Sequence, residues 1–366
     1  MSSSSQQKSI FALNLVLNNC DAALAVLPDD VNPEPSSHNF SVLHKDFLSI
    51  LSLLHASTTK VALTLNPASP EYTASIAPLT DTSNNISRLV HCLGMIHRRY
   101  GEALFKEIAS AAQNIIAAIK SFVQSLLAIH NTTLDSSEGS AAGDYMLRTG
   151  AVHEAIDRER ALSNNNYDAV RKVWQRDHDS LVDGLDEIQE MCKPSDDTED
   201  LDDGWDDLGL GSNAKLSPLE LQRTEKVLTL IKLSTLLHQR TIKKLLTPPK
   251  IPPIIQSVTN TLLDKLALSS PALLAASDEL ISTTYPPQSQ EAVTEHLVLF
   301  NTVITEIRPL VISLEAEQEI EVGLSNLSLS DGPGTNAKSK KTWFSTCFEQ
   351  IELSRRTVAD TLKENI

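Results

Sequence analysis

Apolar side chains recur at steps of three and four along most of this chain, the spacing that forms one face of an α-helix. One such stripe opens at Leu104 and continues to Ile129. Its members are Leu104, Ile108, Ala111, Ile115, Ala118 and Phe122, flanked by Phe105, Ala112, Ile119, Val123 and Leu126. This wide apolar face predicts one long helix.

Two further helices are marked by their ends. One opens at Asn166, which we expect to be the N-cap, with Asp168 in the first turn, and it ends before Pro194. The other opens at Ser217-Pro218-Leu219-Glu220, where serine can cap, proline suits the first helical position and glutamate can complete a capping box. The pair Pro248-Pro249 ends this helix, because proline cannot continue it.

The remaining periodic segments are also helical, and none alternates with the period of two that a half-buried strand requires. An N-terminal stripe runs through Ile10, Leu13, Leu17, Cys20, Leu24 and Leu27, and further helices are predicted at 41–64, around 86–93, 254–268, 271–285, 290–327 and 342–365. Pro309 should kink the 290–327 helix because it removes an amide hydrogen and clashes with the preceding turn. The predicted fold class is all-α, and helices of this length joined by short turns favour antiparallel bundles.

The domain organisation follows from a break in the apolar pattern. Residues 194–211 hold eight aspartates and glutamates and no lysine or arginine, so like-charge repulsion and low hydrophobicity favour disorder. The predicted order is a disordered tail at 1–7, an N-terminal bundle at 8–193, an acidic disordered linker at 194–214 and a C-terminal bundle at 215–366. Polar stretches at 132–143 and 328–341 are predicted to be mobile loops within the two bundles.

Composition narrows the range of functions. The 366 residues carry 31 basic and 47 acidic side chains, a net charge of −16, which argues against nucleic-acid binding. No uninterrupted apolar run approaches the ~18 residues of a membrane span, so we expect a soluble protein that does not bind membranes. The four cysteines, Cys20, Cys92, Cys192 and Cys347, are separated by more than seventy residues each, which favours reduced intracellular thiols over a zinc site or a redox dithiol.

Candidate catalytic residues are few. The sequences Asp177-His178-Asp179 and His153-Glu154 place histidine beside acids, but neither has the spacing of a metal-ligand or catalytic motif. Because His178 falls between Trp174 and Leu181 on the helix, a structural histidine at the edge of the core is favoured over a catalytic one. No nucleophile elbow, phosphate loop or dinucleotide fingerprint occurs. We therefore expect no enzyme activity, no metal and no cofactor.

Four serine or threonine residues precede proline, the minimal motif of proline-directed kinases: Ser69, Ser217, Thr247 and Ser270. For Ser217 and Ser270 a role as helix N-cap, with proline at the next position, is favoured. The pairs at Ser69 and Thr247 stay open as sites of modification.

The acidic linker contains an aromatic residue among acids and leucines, in the sequence Leu201-Asp202-Asp203-Gly204-Trp205-Asp206-Asp207-Leu208. A disordered segment of this kind keeps its apolar side chains in solvent until a basic-rimmed apolar groove of a partner receives them. The candidate partner-binding residues are Trp205 and Leu208 as anchors and Asp202, Asp203, Asp206 and Asp207 as charges that attract a basic partner. The favoured alternative is a solvated spacer with Trp205 packed on its own bundle, because acidic runs of this kind are usually linkers.

Several segments resemble one known family. They are AVHEAID at 151–157, NNYDAV at 165–170 and DELISTTYPP at 278–287, together with the acidic segment and the Thr342-Trp343 pair at the start of the last helix. In these segments the chain resembles the cyclin-D-binding protein family, also described as Grap- and cyclin-D-interacting proteins, over nearly its full length. His153 stands where this resemblance leads us to expect tryptophan.

The resemblance implies an all-helical, non-enzymatic regulator that binds cyclin D or helix-loop-helix regulators. It also implies a negative effect on cell-cycle progression or transcription and a location in cytoplasm and nucleus. The family brings no catalytic residues to transfer to this chain. Its paired bundles also look like those of vinculin and talin, so a cytoskeletal or signalling scaffold is the alternative function.

Overall fold

The computed structural model describes residues 2–27, 39–96, 98–131, 138–193, 216–248, 256–327 and 342–363. Within these ranges the chain forms ten α-helices and two single 3-10 turns and no strand, which confirms the all-α class. Contacts divide the chain into two compact units, Met1–Ala169 and Val170–Ile366, here called the N-unit and the C-unit.

The N-unit is a ring of five helices around an aliphatic core. Its helices are α1 (Ser2–Val26), α2 (Phe40–Thr64), α3 (Tyr72–Met95), α4 (Glu102–Asn131) and α5 (Glu138–Arg158). They neighbour one another in the order α1, α3, α2, α5, α4 and back to α1. The stripe predicted for α4 lines the centre of the ring, where Ile108, Ile115 and Ile119 are almost completely buried.

One neighbouring pair in this ring is parallel. Ser9 Oγ on α1 lies 2.8 Å from Ser75 Oγ on α3, and Asn19, further along α1, donates to the carbonyl of Ser83, further along α3. The helices alternate in direction along the chain, and a ring with an odd number of alternating helices must contain one parallel pair. The antiparallel arrangement predicted for the bundle therefore holds everywhere in the N-unit except between α1 and α3.

Two polar stretches that were predicted to be mobile are helical where they are described. Helix α1 begins at Ser2, so residues 2–7 are not a disordered tail, and Gln6 Nε2 lies 3.5 Å from the carbonyl of His130. Helix α5 begins at Glu138, inside the predicted loop at 132–143. Contacts with neighbouring helices stabilise the start of α1, because serine is a weak helix former by itself. Residues 132–137 and 328–341 lie outside the described residues.

The cap predicted at the start of α6 (Asn166–Met191) is wrong by one residue. Asn165 Oδ1 accepts the backbone amide of Asp168 at 2.9 Å and is the N-cap. Asn166 Oδ1 instead accepts the amide of Leu104 at 3.1 Å and thereby satisfies a free N–H in the first turn of α4. Gly101 makes this contact possible, because it has a φ of +123° and a Cβ there would lie 2.0 Å from Asn166 Cγ.

The C-unit contains a second ring, made of α7 (Pro218–Lys244), α8 (Gln256–Ser282), α9 (Gln290–Leu327) and α10 (Trp343–Thr361) in that order. The capping box predicted for α7 is confirmed, since Ser217 Oγ accepts the Glu220 amide and the Glu220 carboxylate accepts the Ser217 amide. Thr342 Oγ1 is a simple N-cap of α10 and accepts the Ser345 amide. Pro309 lies inside α9, and the kink there stays a prediction.

Helix α8 continues through Pro271, so the prediction of two helices at 254–268 and 271–285 is wrong. Proline removes the amide that would bond the carbonyl four residues earlier, and its ring opens that turn. Trp174 of α6 donates its indole N–H to the Leu266 carbonyl in this turn at 2.8 Å. Ser270 is not an N-cap, because it is fully buried and donates to Asp177 Oδ2 at 2.8 Å. Distant partners therefore stabilise a helix that local rules would interrupt.

The boundary between the units differs from the predicted one. The described residues divide at Ala169, within the first turn of α6, and not at the acidic segment after residue 193. The reason is that α6 buries Trp174 and Asp177 against α8 of the C-unit. The predicted linker at 194–214 lies outside the described residues.

Four of the described helices are long and apolar enough to cross a membrane by length and composition alone: Ser4–Val26, Phe40–Thr64, Glu102–His130 and Gln290–Ile320. The expectation from uninterrupted apolar runs missed them, because serine, threonine and asparagine interrupt a run without lowering its mean hydropathy much. In α4 the apolar side chains line the core of the N-unit. The absence of membrane binding stays a prediction.

Candidate functional site

The partner-binding residues predicted from sequence lie outside the described part of the chain. Trp205, Leu208, Asp202, Asp203, Asp206 and Asp207 all fall in the undescribed range 194–215. Their role therefore stays a prediction. Two other features of the C-unit have geometry that bears on function: a buried polar network and a surface groove.

The buried polar network consists of Trp174 and Asp177 on α6, His238 on α7 and Ser270 on α8. His238 Nε2 lies 2.9 Å from Ser270 Oγ, and Ser270 Oγ donates to Asp177 Oδ2 at 2.8 Å. Because the single hydroxyl proton is directed at the carboxylate, His238 must carry its proton on Nε2 and donate it to Ser270. Trp174 stacks on the His238 ring with a centroid distance of 4.2 Å.

Burial sets the charge of this network. The residues Asp177, His238 and Ser270 are at most 2% exposed. Burial, followed by the nearby His178, lowers the pKa of His238 to about 3, so this imidazole is neutral near pH 7. Burial also lowers the pKa of His178, which is half-buried and stacks on His238 at 5.6 Å, consistent with the predicted place at the edge of the core. Arg176, mostly exposed, pairs with the other Asp177 oxygen at 2.8 Å.

Serine, histidine and aspartate are the residue types of hydrolytic triads, but their order here is different. In a triad the imidazole lies between serine and carboxylate and takes the serine proton. In this network Ser270 lies in the middle, its proton points to Asp177, and its oxygen is fully buried. A substrate cannot reach that oxygen in this arrangement. The network instead joins three helices through hydrogen bonds that burial in a low-dielectric interior makes stronger.

The surface groove lies between α7, α9 and α10 and has a volume of about 310 Å³. Its lining residues are Arg240, Lys244 and Leu245 from α7 and its end, Glu315, Gln318 and Glu319 from α9, and Trp343 and Phe344 from α10. This volume is at the small end of the range for ligand sites, so the groove suits an inserted side chain better than a large cofactor.

The floor of the groove is aromatic. Trp343 is 37% exposed and packs edge-to-face on buried Phe344, with ring centroids 5.2 Å apart. The guanidinium carbon of Arg240 lies 5.3 Å from the Trp343 ring centroid, a cation–π contact that leaves its N–H donors available to a carboxylate. Gln318 Nε2 donates to the Leu245 carbonyl at 2.8 Å and ties α9 to the end of α7.

The two sides of the groove carry opposite charges. Arg240 and Lys244 are one turn apart on α7 and form a basic side, whereas Glu315 and Glu319 are one turn apart on α9 and form an acidic side. Burial and the neighbouring Glu319 raise the pKa of Glu315, although a hydrogen bond with Thr342 opposes this. The groove thus offers an aromatic surface between a pair of cations and a pair of anions.

Metal-ligating and thiol groups form no cluster in the described ranges. No group of three or more histidine, cysteine or acidic side chains there has the geometry to hold a metal ion. Cys20, Cys92, Cys192 and Cys347 are all free, and burial raises the pKa of each thiol. In the N-unit, His153 stacks on His55 at 4.0 Å and lies 3.1 Å from Thr59 Oγ1, so an aromatic ring still packs at the position where tryptophan was expected.

Two family models match this chain one after the other. The model described as Grap2 and cyclin-D-interacting, N-terminal, matches residues 46–193, and the model described as Grap2 and cyclin-D-interacting, C-terminal, matches residues 201–309. The chain belongs to the Grap2 and cyclin-D-interacting protein family. The resemblance inferred from sequence is thereby confirmed. No curated protein matches the chain.

The family models and the compact units divide this Grap2 and cyclin-D-interacting family member differently. The N-terminal model includes all of α6, whereas the contacts of α6 beyond Ala169 place it in the C-unit. The C-terminal model ends at residue 309 and therefore stops before Glu315, Glu319 and Trp343 of the groove. Sequence analysis missed the groove because each charged pair is visible on its own helix, while only the fold shows that the pairs face one cavity.

Proposed function

We propose that this protein is a non-enzymatic protein-interaction regulator that binds a cyclin or a helix-loop-helix regulator and restrains cell-cycle progression or transcription. The observation that carries the proposal is the match of both family models in order along the chain. The described geometry supports binding better than catalysis, because the serine and histidine with a catalytic appearance are buried, while an aromatic, charged groove is open.

The groove suits an amphipathic helix of the partner. Helices bind grooves through an apolar stripe at steps of three and four, with charged residues on its two flanks. An apolar side chain of the stripe would stack on Trp343, an acidic flank would face Arg240 and Lys244, and a basic flank would face Glu315 and Glu319. Exposed aromatic and arginine side chains are also the types that contribute most at protein interfaces.

The acidic linker is the second proposed contact. Trp205 and Leu208 would act as an apolar anchor, and the aspartates around them would attract a basic partner, so that association weakens as salt rises. The groove and the acidic linker share no residue, and only the groove has a basic side. Each proposed contact can therefore be tested separately. A partner can use either or both, and variants at each distinguish them.

The test is a titration of the full chain against a purified D-type cyclin and against a helix-loop-helix domain. We expect Arg240→Glu combined with Lys244→Glu, or Trp343→Ala, to weaken binding about tenfold or more. Lys232→Glu changes an exposed cation on the same helix outside the groove and should have little effect. Trp205→Ala tests the linker alone.

The outcomes separate the hypotheses. Unchanged binding in the groove variants would refute the groove, and loss in Trp205→Ala alone would assign binding to the linker. If neither protein binds, the proposed function is wrong, and a pull-down that recovers only cytoskeletal proteins would favour the scaffold alternative. A location in cytoplasm and nucleus is part of the proposal and is tested by imaging the tagged full-length chain.

A further inference from the structure

Four Ser-Pro or Thr-Pro pairs offer an internal comparison, because the fold places their hydroxyl groups in different environments. Ser270 is fully buried in the polar network, and the Ser217 hydroxyl accepts the Glu220 amide in the capping box. Ser69 and Thr247 are exposed. A kinase has to reach the hydroxyl group, so burial excludes Ser270 as a phosphorylation site. Ser217 is disfavoured, because its hydroxyl group would have to give up the hydrogen bond from the Glu220 amide.

The two exposed pairs differ in the backbone that follows them. Ser69 lies in a tight turn, where its amide donates to the Asn66 carbonyl at 3.0 Å, and α3 begins at Tyr72, three residues later. A substrate segment that must lie extended in a kinase cannot do so where it turns directly into a helix. Thr247 is an exposed residue in the bend after the end of α7, and neither Pro248 nor Pro249 can continue that helix.

We propose that Thr247 is the phosphoacceptor of a proline-directed serine/threonine kinase. The γ-phosphoryl group of ATP is transferred to Thr247 Oγ1. The new O–P bond forms as the bond between the γ-phosphorus and the β–γ bridging oxygen breaks, ADP leaves, and the hydroxyl proton passes to the catalytic aspartate of the kinase.

The position of Thr247 gives the modification a consequence. Its hydroxyl group lies 3.4 Å from the Lys243 carbonyl at the end of α7, and Lys244 and Leu245 line the groove. A phosphate group adds about −1.5 to −2 charges at neutral pH. Placed beside Lys243 and Lys244, this charge offsets the basic side of the groove. Phosphorylation should therefore weaken binding of the acidic flank of a partner helix, a consequence that rests on the proposed function.

The modification itself is tested on the full chain with Mg²⁺, ATP and a proline-directed kinase that phosphorylates four synthetic peptides, one for each motif. We expect mass spectrometry to find phosphate on Thr247, much less on Ser69 and none on Ser270. Thr247→Ala should remove the major site and Thr247→Ser should keep it. The proposal is overturned if Thr247 stays unmodified in the folded chain while its peptide is phosphorylated, or if Ser69 is the major site.

The consequence is tested separately by titrating the phosphorylated and the mock-treated chain against the partner. A roughly tenfold loss of affinity after phosphorylation, absent in kinase-treated Thr247→Ala, supports the regulatory effect. Equal affinity of both forms refutes that effect. If the unmodified chain binds no partner, the proposed function is wrong. The phosphorylation of Thr247 is still tested in that case, because mass spectrometry detects it without a partner.

Discussion

The two units of this protein are both helical rings, but their centres differ in chemistry. The N-unit surrounds a core that is mostly aliphatic, and the apolar stripe of α4 forms its centre. The C-unit has Trp174, Asp177, His238 and Ser270 at the junction of α6, α7 and α8. An aliphatic core tolerates small shifts, because dispersion contacts have no direction, whereas a buried hydrogen-bond chain loses stability when any member is missing. The C-unit should therefore respond more sharply to single changes and to acid.

Removal of the acceptor in the polar network should have the largest effect. Asp177→Ala leaves the Ser270 hydroxyl without its acceptor in a dry site, and we expect the free energy of unfolding of the C-unit to fall by about 3 kcal/mol. Thr82→Ala in the N-unit is the matched control, because its buried hydroxyl donates only to the Pro78 carbonyl of its own helix. This change should cost about 1 kcal/mol. Hydrogen exchange read peptide by peptide reports each unit, and equal losses would contradict the contrast.

Acid should destabilise the C-unit next most. Because the pKa of His238 is lowered from 6.5 to about 3, the unfolded chain takes up a proton below about pH 6.5 that the folded chain refuses. The contribution is fully present above that pH and is lost as pH falls toward the folded value, at roughly 1.4 kcal/mol per pH unit. At about pH 4.5 the expected loss is roughly 2–3 kcal/mol.

A histidine replacement identifies the source of this acid sensitivity. His238→Gln keeps an N–H donor toward Ser270 but cannot titrate, so its stability curve between about pH 6.5 and 4.5 should be flatter. In the N-unit burial also lowers the pKa values of His130 and His153, and both are half-buried. We expect a smaller acid loss there. If the free energy of unfolding of His238→Gln depends on pH as steeply as that of the unchanged protein, His238 is not the cause of the acid sensitivity.

The N-unit has its own sensitive point at the start of α4. Gly101→Ala forces a side chain into the space of Asn166 and into a backbone conformation with positive φ, which should cost about 2 kcal/mol. In an Asn166→Ala background the clash disappears and only the backbone strain stays. The cost of Gly101→Ala should therefore be smaller in that background, as measured by chemical unfolding of both pairs. An identical cost would show that the Asn166 side chain is not what the glycine accommodates.

The smallest effect is expected at the surface of the C-unit. Ser217→Ala removes the acceptor for the Glu220 amide, and loss of such a cap costs about 1 kcal/mol. Thermal unfolding should show a modest decrease, and Ser217→Asp should restore most of it, because aspartate also caps. A decrease as large as that of Asp177→Ala would mean that the first turn of α7 supports more of the unit than its exposure suggests.

Local rules predicted those parts of the fold whose partners are close in sequence. The stripe of α4 and the capping box at Ser217 needed only residues three or four positions apart. The single helix through Pro271 could not be predicted, because the groups that stabilise it, Trp174 and Asp177, lie more than ninety residues earlier. The same holds for the groove, whose basic and acidic pairs are readable on their own helices but meet only in the folded C-unit.

The contact between Trp174 and the turn before Pro271 also bears on how the chain is made. A ribosome synthesises α6 well before α8, so the indole N–H already exists when the Leu266 carbonyl emerges. A helix with a proline in its middle is unstable in isolation. Here α6, which stabilises α8, has already been synthesised when α8 can first form. The order of synthesis therefore favours docking of α8 onto α6. A circular permutant that places α6 last should fold more slowly during synthesis, although its native contacts are the same.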